Sequence, residues 1–144
     1  MPYVESEILI KGKPQDVYAI ACDMEKFPDY MPDVEEVNVL ERNCNSTITE
    51  WVSNIDGTPI IWTEEDKFDD KNLVISYRMI EGDLDKFEGE WKFIPTPDGC
   101  KVVLSVEYDF GMPSLTELIG PTLQKKVQEN SEMMLAGMKK KIEG

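Results

Sequence analysis

The sequence predicts a single α+β domain in which an antiparallel sheet curves around a long C-terminal helix. Six strand candidates follow one another between residues 34 and 110, and turn-forming residues separate each from the next. The segment 121–142 has a helical period with one apolar stripe. In the segment 87–94, aromatic residues alternate with polar ones and share their face with Gly89, which is typical of a half-buried strand that bends or is closely approached. We therefore expect a pocket between the curved sheet and the helix.

The elements before this meander are short. A first strand is predicted over residues 3–11. Because proline fits the first turn of a helix, a short helix is expected from Pro14 to about Cys22, and a second one within residues 24–31. The other strands of the predicted seven-stranded sheet cover residues 34–41, 47–54, 60–68, 73–80, 87–94 and 102–110.

Two local signals refine the end of the chain. Asp98-Gly99 is expected at the tip of a tight hairpin. Pro113 and Ser114 are expected to open the terminal helical region, and Gly120-Pro121 to kink or restart it. The apolar stripe of this region consists of Leu115, Ile119, Leu123, Val127, Met134, Met138 and Ile142.

Length and charge limit the function classes. The chain has 144 residues without a linker or repeat, so residues 1–144 are expected to form one ligand-binding domain. It carries 15 basic and 29 acidic residues, a formal net charge of −14. Such a charge repels phosphate backbones and anionic lipids, which argues against nucleic-acid binding and against stable association with membranes. Solubility is the simplest explanation of the charge, and a basic protein partner or a high-salt environment are the alternatives.

The residues that several kinds of catalytic and metal site require are missing. The chain has no His, and Cys22, Cys44 and Cys100 lie far apart without a Cys-x-x-Cys pair. This excludes a Ser-His-Asp triad and His-based metal sites, and no glycine-rich phosphate motif occurs, so neither a metal nor a cofactor is expected. Sparse cysteines, with no signal-peptide pattern and no apolar run of membrane length, predict reduced thiols and a cytoplasmic location.

The predicted strand 73–80 contains the most informative polar residues. Both of its faces carry hydrophobic side chains, so alternation alone does not decide which face is inside. If the face with Ser76 and Arg78 lines the pocket, these two are its polar groups, and the buried guanidinium would need a partner such as a ligand oxygen. The alternative is a surface arginine paired with a glutamate of a neighbouring strand.

Aromatic and apolar side chains supply the candidate pocket wall. Core packing is the default explanation for each tryptophan, but the mixed face of Thr49, Trp51 and Ser53 fits a ligand-contacting wall better than a dry core. Methionine on the terminal helix suits an irregular apolar ligand, although gap filling is its commoner use. The candidate ligand-binding residues are Trp51, Trp62, Phe87, Trp91, Tyr108, Phe110, Leu123, Val127 and Met134.

Several motifs in one order along nearly the whole chain support a resemblance. They are Asp23-Met-Glu-Lys-Phe-Pro28, Tyr77-Arg78 with Glu81-Gly82, Phe87-Glu-Gly-Glu-Trp91 and Val106-Glu-Tyr-Asp-Phe110. With them the chain resembles the START or helix-grip (SRPBCC) superfamily, which includes birch-pollen-type allergens. Within it, the resemblance is closest to the branch of polyketide cyclases/dehydrases and coenzyme-Q-binding proteins. The resemblance implies a helix-grip fold. It also implies catalytic roles for Arg78 and Ser76, because Arg78 falls where aromatic polyketide cyclases place a pocket arginine.

Three functions are compatible with these observations. The first is binding of a hydrophobic small molecule, such as a lipid, an isoprenoid quinone or a polyketide-like compound, between sheet and helix. The second is a polyketide cyclase, aromatase or dehydrase that uses acid-base groups in the same cavity. The third is a regulatory or chaperone-like module whose acidic surface meets a basic partner. A carrier needs only a matching shape, whereas a cyclase needs polar groups well inside the cavity.

Overall fold

The computed structural model describes the backbone of residues 3–55, 57–109 and 113–144, and the side chains of these residues except 55, 58 and 113–123. Phe110 and the side chains of Leu115, Ile119 and Leu123 therefore lie outside the described parts. The elements, in chain order, are β1 (Tyr3–Ile10), α1 (Pro14–Cys22), a 3-10 helix (Met24–Asp29), β2 (Val34–Arg42), β3 (Ser46–Ile55), β4 (Thr58–Asp69), β5 (Val74–Gly82), β6 (Lys86–Thr96), β7 (Gly99–Asp109) and α2 (Pro113–Glu143).

The seven strands form one antiparallel sheet in the order β1-β7-β6-β5-β4-β3-β2. Strands β2 to β7 are joined as consecutive hairpins, because each turn signal in the sequence returns the chain beside the strand that it has just left. Strand β1 pairs with β7 at the far edge, so α1 and the 3-10 helix carry the chain across to the opposite edge. The predicted helix-grip architecture is confirmed, with two short helices between the first two strands.

Most strand ends lie one to three residues from their predicted positions, and two of these differences have a clear local cause. Leu73 was expected to start β5, but its φ of 55° is left-handed, so it belongs to the preceding turn and the strand starts at Val74. Thr96 pairs with Gly99, which makes Pro97 and Asp98 the two loop residues of the β6–β7 hairpin. The loop of this hairpin therefore lies one residue earlier than the predicted tip Asp98-Gly99.

Helix α2 is longer than predicted. It runs without interruption from Pro113 to Glu143, so the expected restart at Gly120-Pro121 does not occur. A proline inside a helix removes one backbone hydrogen bond, which weakens a helix without necessarily ending it. In the described part of α2, Val127 and Met138 of the predicted stripe are buried, and Met134 and Ile142 are half-buried and pack against the core. Leu135 and Ser131 are buried as well.

The C-terminal half of α2 is held firmly in place. A Cβ added at Gly137 would lie 2.2 Å from the Tyr30 carbonyl oxygen, so the helix contacts the turn after the 3-10 helix at van der Waals distance. The Lys139 ammonium donates a hydrogen bond to the Leu9 carbonyl at 2.7 Å. This end of α2 is thus fixed both to β1 and to the short helices.

Candidate functional site

A pocket lies between the inner face of the sheet and α2. It contains about 40 Å³ of free space, which is room for a few water molecules. Seven of the nine residues predicted to bind a ligand line this pocket, and the other two, Phe110 and Leu123, have no described side chains. Ligand contact itself stays a prediction for all nine. The seven are Trp51, Trp62, Phe87, Trp91, Tyr108, Val127 and Met134.

One wall of the pocket is a chain of aromatic contacts across neighbouring strands. Trp51 and Trp62 stand directly opposite each other on β3 and β4, and their rings stack with centroids 5.6 Å apart and planes 11° apart. Phe87 lies 5.0 Å from Trp62, measured between ring centroids, and 5.7 Å from Tyr77. Because these side chains alternate inward along their strands, the period of the sheet brings them together.

The structure places Arg78 and Ser76 outside this pocket. The inward side chains of β5 are Ile75 and Tyr77, so Arg78 lies on the outer face. Its guanidinium, 63% exposed, lies 3.4 Å from the Glu65 carboxylate of β4. The expectation of an inward arginine is therefore wrong, and the alternative of a surface ion pair is correct. The physical reason is that Tyr77 takes the inward face of β5, where its hydroxyl reaches the Ser105 carbonyl in the space left at Gly89. Arg78, the next residue, then points outward.

Gly89 is required by a close approach within the sheet. The Tyr77 hydroxyl donates a hydrogen bond to the Ser105 carbonyl at 2.6 Å, although these residues lie on strands separated by β6. A Cβ at Gly89 would lie 1.9 Å from that carbonyl oxygen and 2.8 Å from the Tyr77 hydroxyl. The Glu90 amide donates to the Ser105 hydroxyl at 3.1 Å. The lone glycine on the aromatic face thus makes room for a tyrosine that crosses β6.

The most unusual groups of the inner face are two acidic side chains of β4. Glu64 is 3% exposed and Asp66 is 0% exposed. The Trp62 indole donates to Glu64 Oε1 at 2.7 Å. The hydroxyls of Thr47 and Thr49 donate to Asp66 Oδ2 at 3.0 and 2.6 Å. Glu64 lines the pocket, and Asp66 lies two residues further along the same strand face. We call these two residues the carboxyl pair.

The two acids titrate as a pair. Burial raises the pKa of Glu64 well above its ordinary value, and the negative charge of Asp66 adds to the rise. Burial also raises the pKa of Asp66, while hydrogen bonds from Glu64, Thr49 and Thr47 oppose that rise. The two carboxyls therefore titrate together, and the pair holds a proton more readily than two solvated acids do.

Sequence reasoning assigned most acidic residues to the solvent and missed this pair. A signal was nevertheless present in the alternation of β4. Glu64 and Asp66 share a strand face with Trp62, and the facing positions of β3 are Thr49, Thr47 and Trp51 in the register of the sheet. Hydroxyl donors on the facing strand and an indole donor two residues away on the same strand are what buried carboxyls need.

A third buried acid, Asp33, joins α2 to the sheet at the edge of the pocket. Asp33 is 4% exposed, and its carboxylate accepts a hydrogen bond from the Asn130 amide of α2. Its carbonyl accepts one from the Ser53 hydroxyl at 2.9 Å. Burial raises the pKa of Asp33 to about 6, against the opposing effect of hydrogen bonds from its own backbone amide and from Asn130. Asn130 and Ser53 both line the pocket.

The described residues that line the pocket include no lysine and no arginine. Across the described residues, no group of three or more His, Cys, Asp and Glu is arranged to hold a metal ion. None of the described helical segments is both long and apolar enough to span a membrane.

Comparison with known proteins identifies the fold and the family. The chain is 35% identical to the protein TTHA0849 from Thermus thermophilus, with a TM-score of 0.94 over 98% of this chain and 97% of that chain. The Zhui aromatase/cyclase from Streptomyces sp. R1128 shares the fold, with 20% identity and a TM-score of 0.88 over 98% of this chain and 93% of that chain.

A sequence relative points in the same direction. A Streptomyces cyaneus protein, provisionally named as a polyketide cyclase, is 24% identical over 144 residues, which cover 98% of this chain and 93% of the relative. A profile of the family described as "Polyketide cyclase / dehydrase and lipid transport" matches residues 10–135. Since this match covers most of the chain, the protein belongs to the polyketide cyclase/dehydrase and lipid transport family.

Proposed function

We propose that the protein binds a hydrophobic small molecule between the sheet and α2. The observation that carries this proposal is the pocket itself, whose lining is mainly aromatic and aliphatic with a few polar groups. That composition is typical of small-molecule sites. Each Å² of apolar ligand surface removed from water would contribute about 25 cal/mol to binding.

The free space of about 40 Å³ is far below the roughly 300–1,000 Å³ of drug-sized sites. Binding therefore requires the gap between sheet and helix to widen. Met134 contributes a flexible thioether side chain to the helical wall, and methionine repacks more easily than other apolar residues. We expect ligand to enter by displacing side chains of this wall, while the aromatic wall of the sheet stays in place.

The test uses the neutral dye N-phenyl-naphthylamine, whose fluorescence increases in apolar surroundings. Met134→Trp should fill the pocket and weaken dye binding by about tenfold or more, which corresponds to about 1.4 kcal/mol. Met133→Trp is the matched control, because Met133 is the neighbouring residue of α2 and is 44% exposed. Equal affinities of the two variants, or no saturable binding by the unaltered protein, would overturn the proposal.

A second function, cyclisation or dehydration of a polyketide-like substrate, is favoured by the carboxyl pair together with the family. One buried proton donor beside one carboxylate is suited to general acid-base chemistry. Incubation with a synthetic poly-β-ketone thioester, followed by mass spectrometry, should then show loss of water. Glu64→Gln should abolish that loss without abolishing substrate binding.

The cytoplasmic location and the acidic interaction module remain predictions. A groove on the outer face of the sheet is lined by four glutamates together with Lys67 and Arg78, and Arg78 pairs with one of them, Glu65. This mixture of charges does not favour a basic partner at that surface.

A further inference from the structure

We infer that the pocket selects a hydrophobic amine, whose protonated nitrogen pairs with the carboxyl pair Glu64 and Asp66. This inference rests on the proposed binding of a hydrophobic small molecule and names the chemical class of that molecule. The polar anchor expected from the sequence was a cation, Arg78. The structure replaces it with a carboxylic acid on the inner face, which reverses the charge that a ligand should carry.

The first support is an unmet hydrogen-bond acceptor. Asp66 Oδ2 accepts bonds from two threonine hydroxyls, but Asp66 Oδ1 is buried and meets no hydrogen-bond donor among the described groups other than the carboxyl proton of the pair itself. The proton of Glu64 is the one donor within the pair. Buried acceptors without donors are costly, so a ligand that supplies N–H donors and a positive charge gains from meeting this pair.

The second support is the surface around the pair. Trp51, Trp62, Tyr77 and Phe87 line the same pocket as Glu64. Aromatic faces attract cations through the ring quadrupole, most strongly where water is excluded. A carboxylate beside several aromatic rings, with no lysine or arginine among the described lining residues, is therefore suited to an ammonium group with an apolar body.

Anionic and neutral ligands fit this pocket less well than a cationic ligand. A carboxylate ligand would meet the charge of Asp66 and would find no cationic side chain among the described lining residues. The chain also has a net charge of −14, which lowers the local concentration of anions and raises that of cations. A neutral alcohol can donate one hydrogen bond to the pair but leaves its negative charge unpaired.

Binding of an ammonium group shifts the proton of the pair. The amine enters already protonated and keeps its proton, the O–H bond of Glu64 breaks, and that proton passes to the solvent. Among the described residues, the titratable groups whose charges act on the pair are Tyr77 of β5 and Glu65 of β4, while β3 presents the uncharged Thr47 and Thr49. Burial raises the pKa of Tyr77 well above its ordinary value, so Tyr77 stays neutral near pH 7 and the released proton comes from the pair.

The experiment compares three probes that share one ring system: naphthalene bearing an aminomethyl, a hydroxymethyl or a carboxylate group. Quenching of the pocket tryptophans reports binding. We expect the amine to bind about 10- to 100-fold more tightly than the alcohol, the usual effect of a charged hydrogen bond, and the carboxylate to bind most weakly. Calorimetry in two buffers of different ionisation enthalpy should detect a proton released by the amine and none released by the alcohol.

Variants assign the effect to the pair. Glu64→Gln and Asp66→Asn should each lower the preference for amine over alcohol by about tenfold, with alcohol binding almost unchanged. Glu50→Gln is the matched control, because it makes the same exchange of glutamate for glutamine at an exposed position of β3 and should keep the full preference. Melting curves establish that the variants are folded, and proton release by the unaltered protein is a test that needs no variant.

The outcomes separate this inference from the function on which it rests. If none of the three probes binds, the proposed function fails. If the alcohol binds but the amine binds no better, the function stands and the inference is overturned. A preference that survives in both pair variants, or that is lost equally in Glu50→Gln, also overturns it, because the selectivity would then come from the overall charge.

Discussion

Acidic side chains have different partners on the two faces of the sheet. On the outer face, acids pair with bases: Glu65 lies near Arg78, and Glu107 lies 2.9 Å from the Lys86 ammonium. On the inner face, Glu64 and Asp66 pair with each other and with hydroxyl and indole donors. Outer pairs are exposed and contribute little to stability, whereas inner acids carry the full cost of burial. A bound ligand should therefore change the protonation of the inner acids more than that of the outer ones.

The largest effect on the two-faced sheet is expected from filling the space at Gly89, where the Tyr77 side chain crosses β6. Gly89→Val would drive a side chain into the Ser105 carbonyl and the Tyr77 hydroxyl. We expect the free energy of unfolding to fall by more than about 2 kcal/mol, well beyond the roughly ±0.5 kcal/mol of a surface change. Urea denaturation measures it.

Lys92→Val is the control for Gly89→Val, because Lys92 is an exposed residue of the same strand. Its free energy of unfolding should stay within about 0.5 kcal/mol of that of the unaltered protein. Equal stability of the two variants would show that β6 accepts a side chain at position 89.

An intermediate effect is expected from Glu64→Gln, which should change how the free energy of unfolding depends on pH. In the folded chain the pKa of Glu64 lies above its unfolded value, so the folded state holds a proton that the unfolded state releases. The free energy of unfolding therefore falls as pH rises from about 4 upward. Asp33, with a pKa of about 6, has the same sign over the window from about 4 to 6.

Glutamine keeps an oxygen for the Trp62 indole and adds a neutral donor toward Asp66. We expect Glu64→Gln to be more stable than the unaltered protein at pH 8 by about 1–3 kcal/mol, and the difference to shrink toward pH 4. Thermal melting across this range measures the difference. Parallel stability curves for the variant and the unaltered protein would contradict a proton held by Glu64 in the folded state.

The smallest effect is expected from Arg78→Met on the outer face. Its ion pair with Glu65 is exposed, so stability should change by less than about 0.5 kcal/mol. Affinity for the naphthalene probes should change by less than about twofold, or about 0.4 kcal/mol. A loss of affinity comparable to that of Glu64→Gln would return Arg78 to the binding site.

The course of the chain was predictable because its signals are local. Hairpin turns and period-2 alternation specify a meander from neighbouring residues, and the face of β6 was readable from three aromatics and one glycine. The orientation of β5 was not, because hydrophobic side chains on both faces leave the decision to contacts with β4 and β6. Tyr77 faces inward because it pairs with Gly89, whose missing side chain leaves room for the tyrosine hydroxyl.

The carboxyl pair shows why the site was harder to predict than the fold. An acid on a strand is usually solvated, so Glu64 and Asp66 look like surface residues until β3 is placed beside them. Thr47 and Thr49 then supply the hydroxyl donors that make the burial of Asp66 possible. These contacts connect residues 17 to 19 positions apart, beyond the reach of a single-strand pattern.

The fixed end of α2 makes the helix a lever. Its pivot lies where Gly137 meets Tyr30 and Lys139 meets Leu9. Val127 lies ten residues before Gly137, or about 15 Å along the axis at 1.5 Å per residue. A tilt of roughly 10° about the pivot would then move Val127 by about 2.6 Å, close to the diameter of a water molecule. A small change in the tilt of α2 would thus change the width of the pocket, while the contacts of Gly137 and Lys139 stay in place.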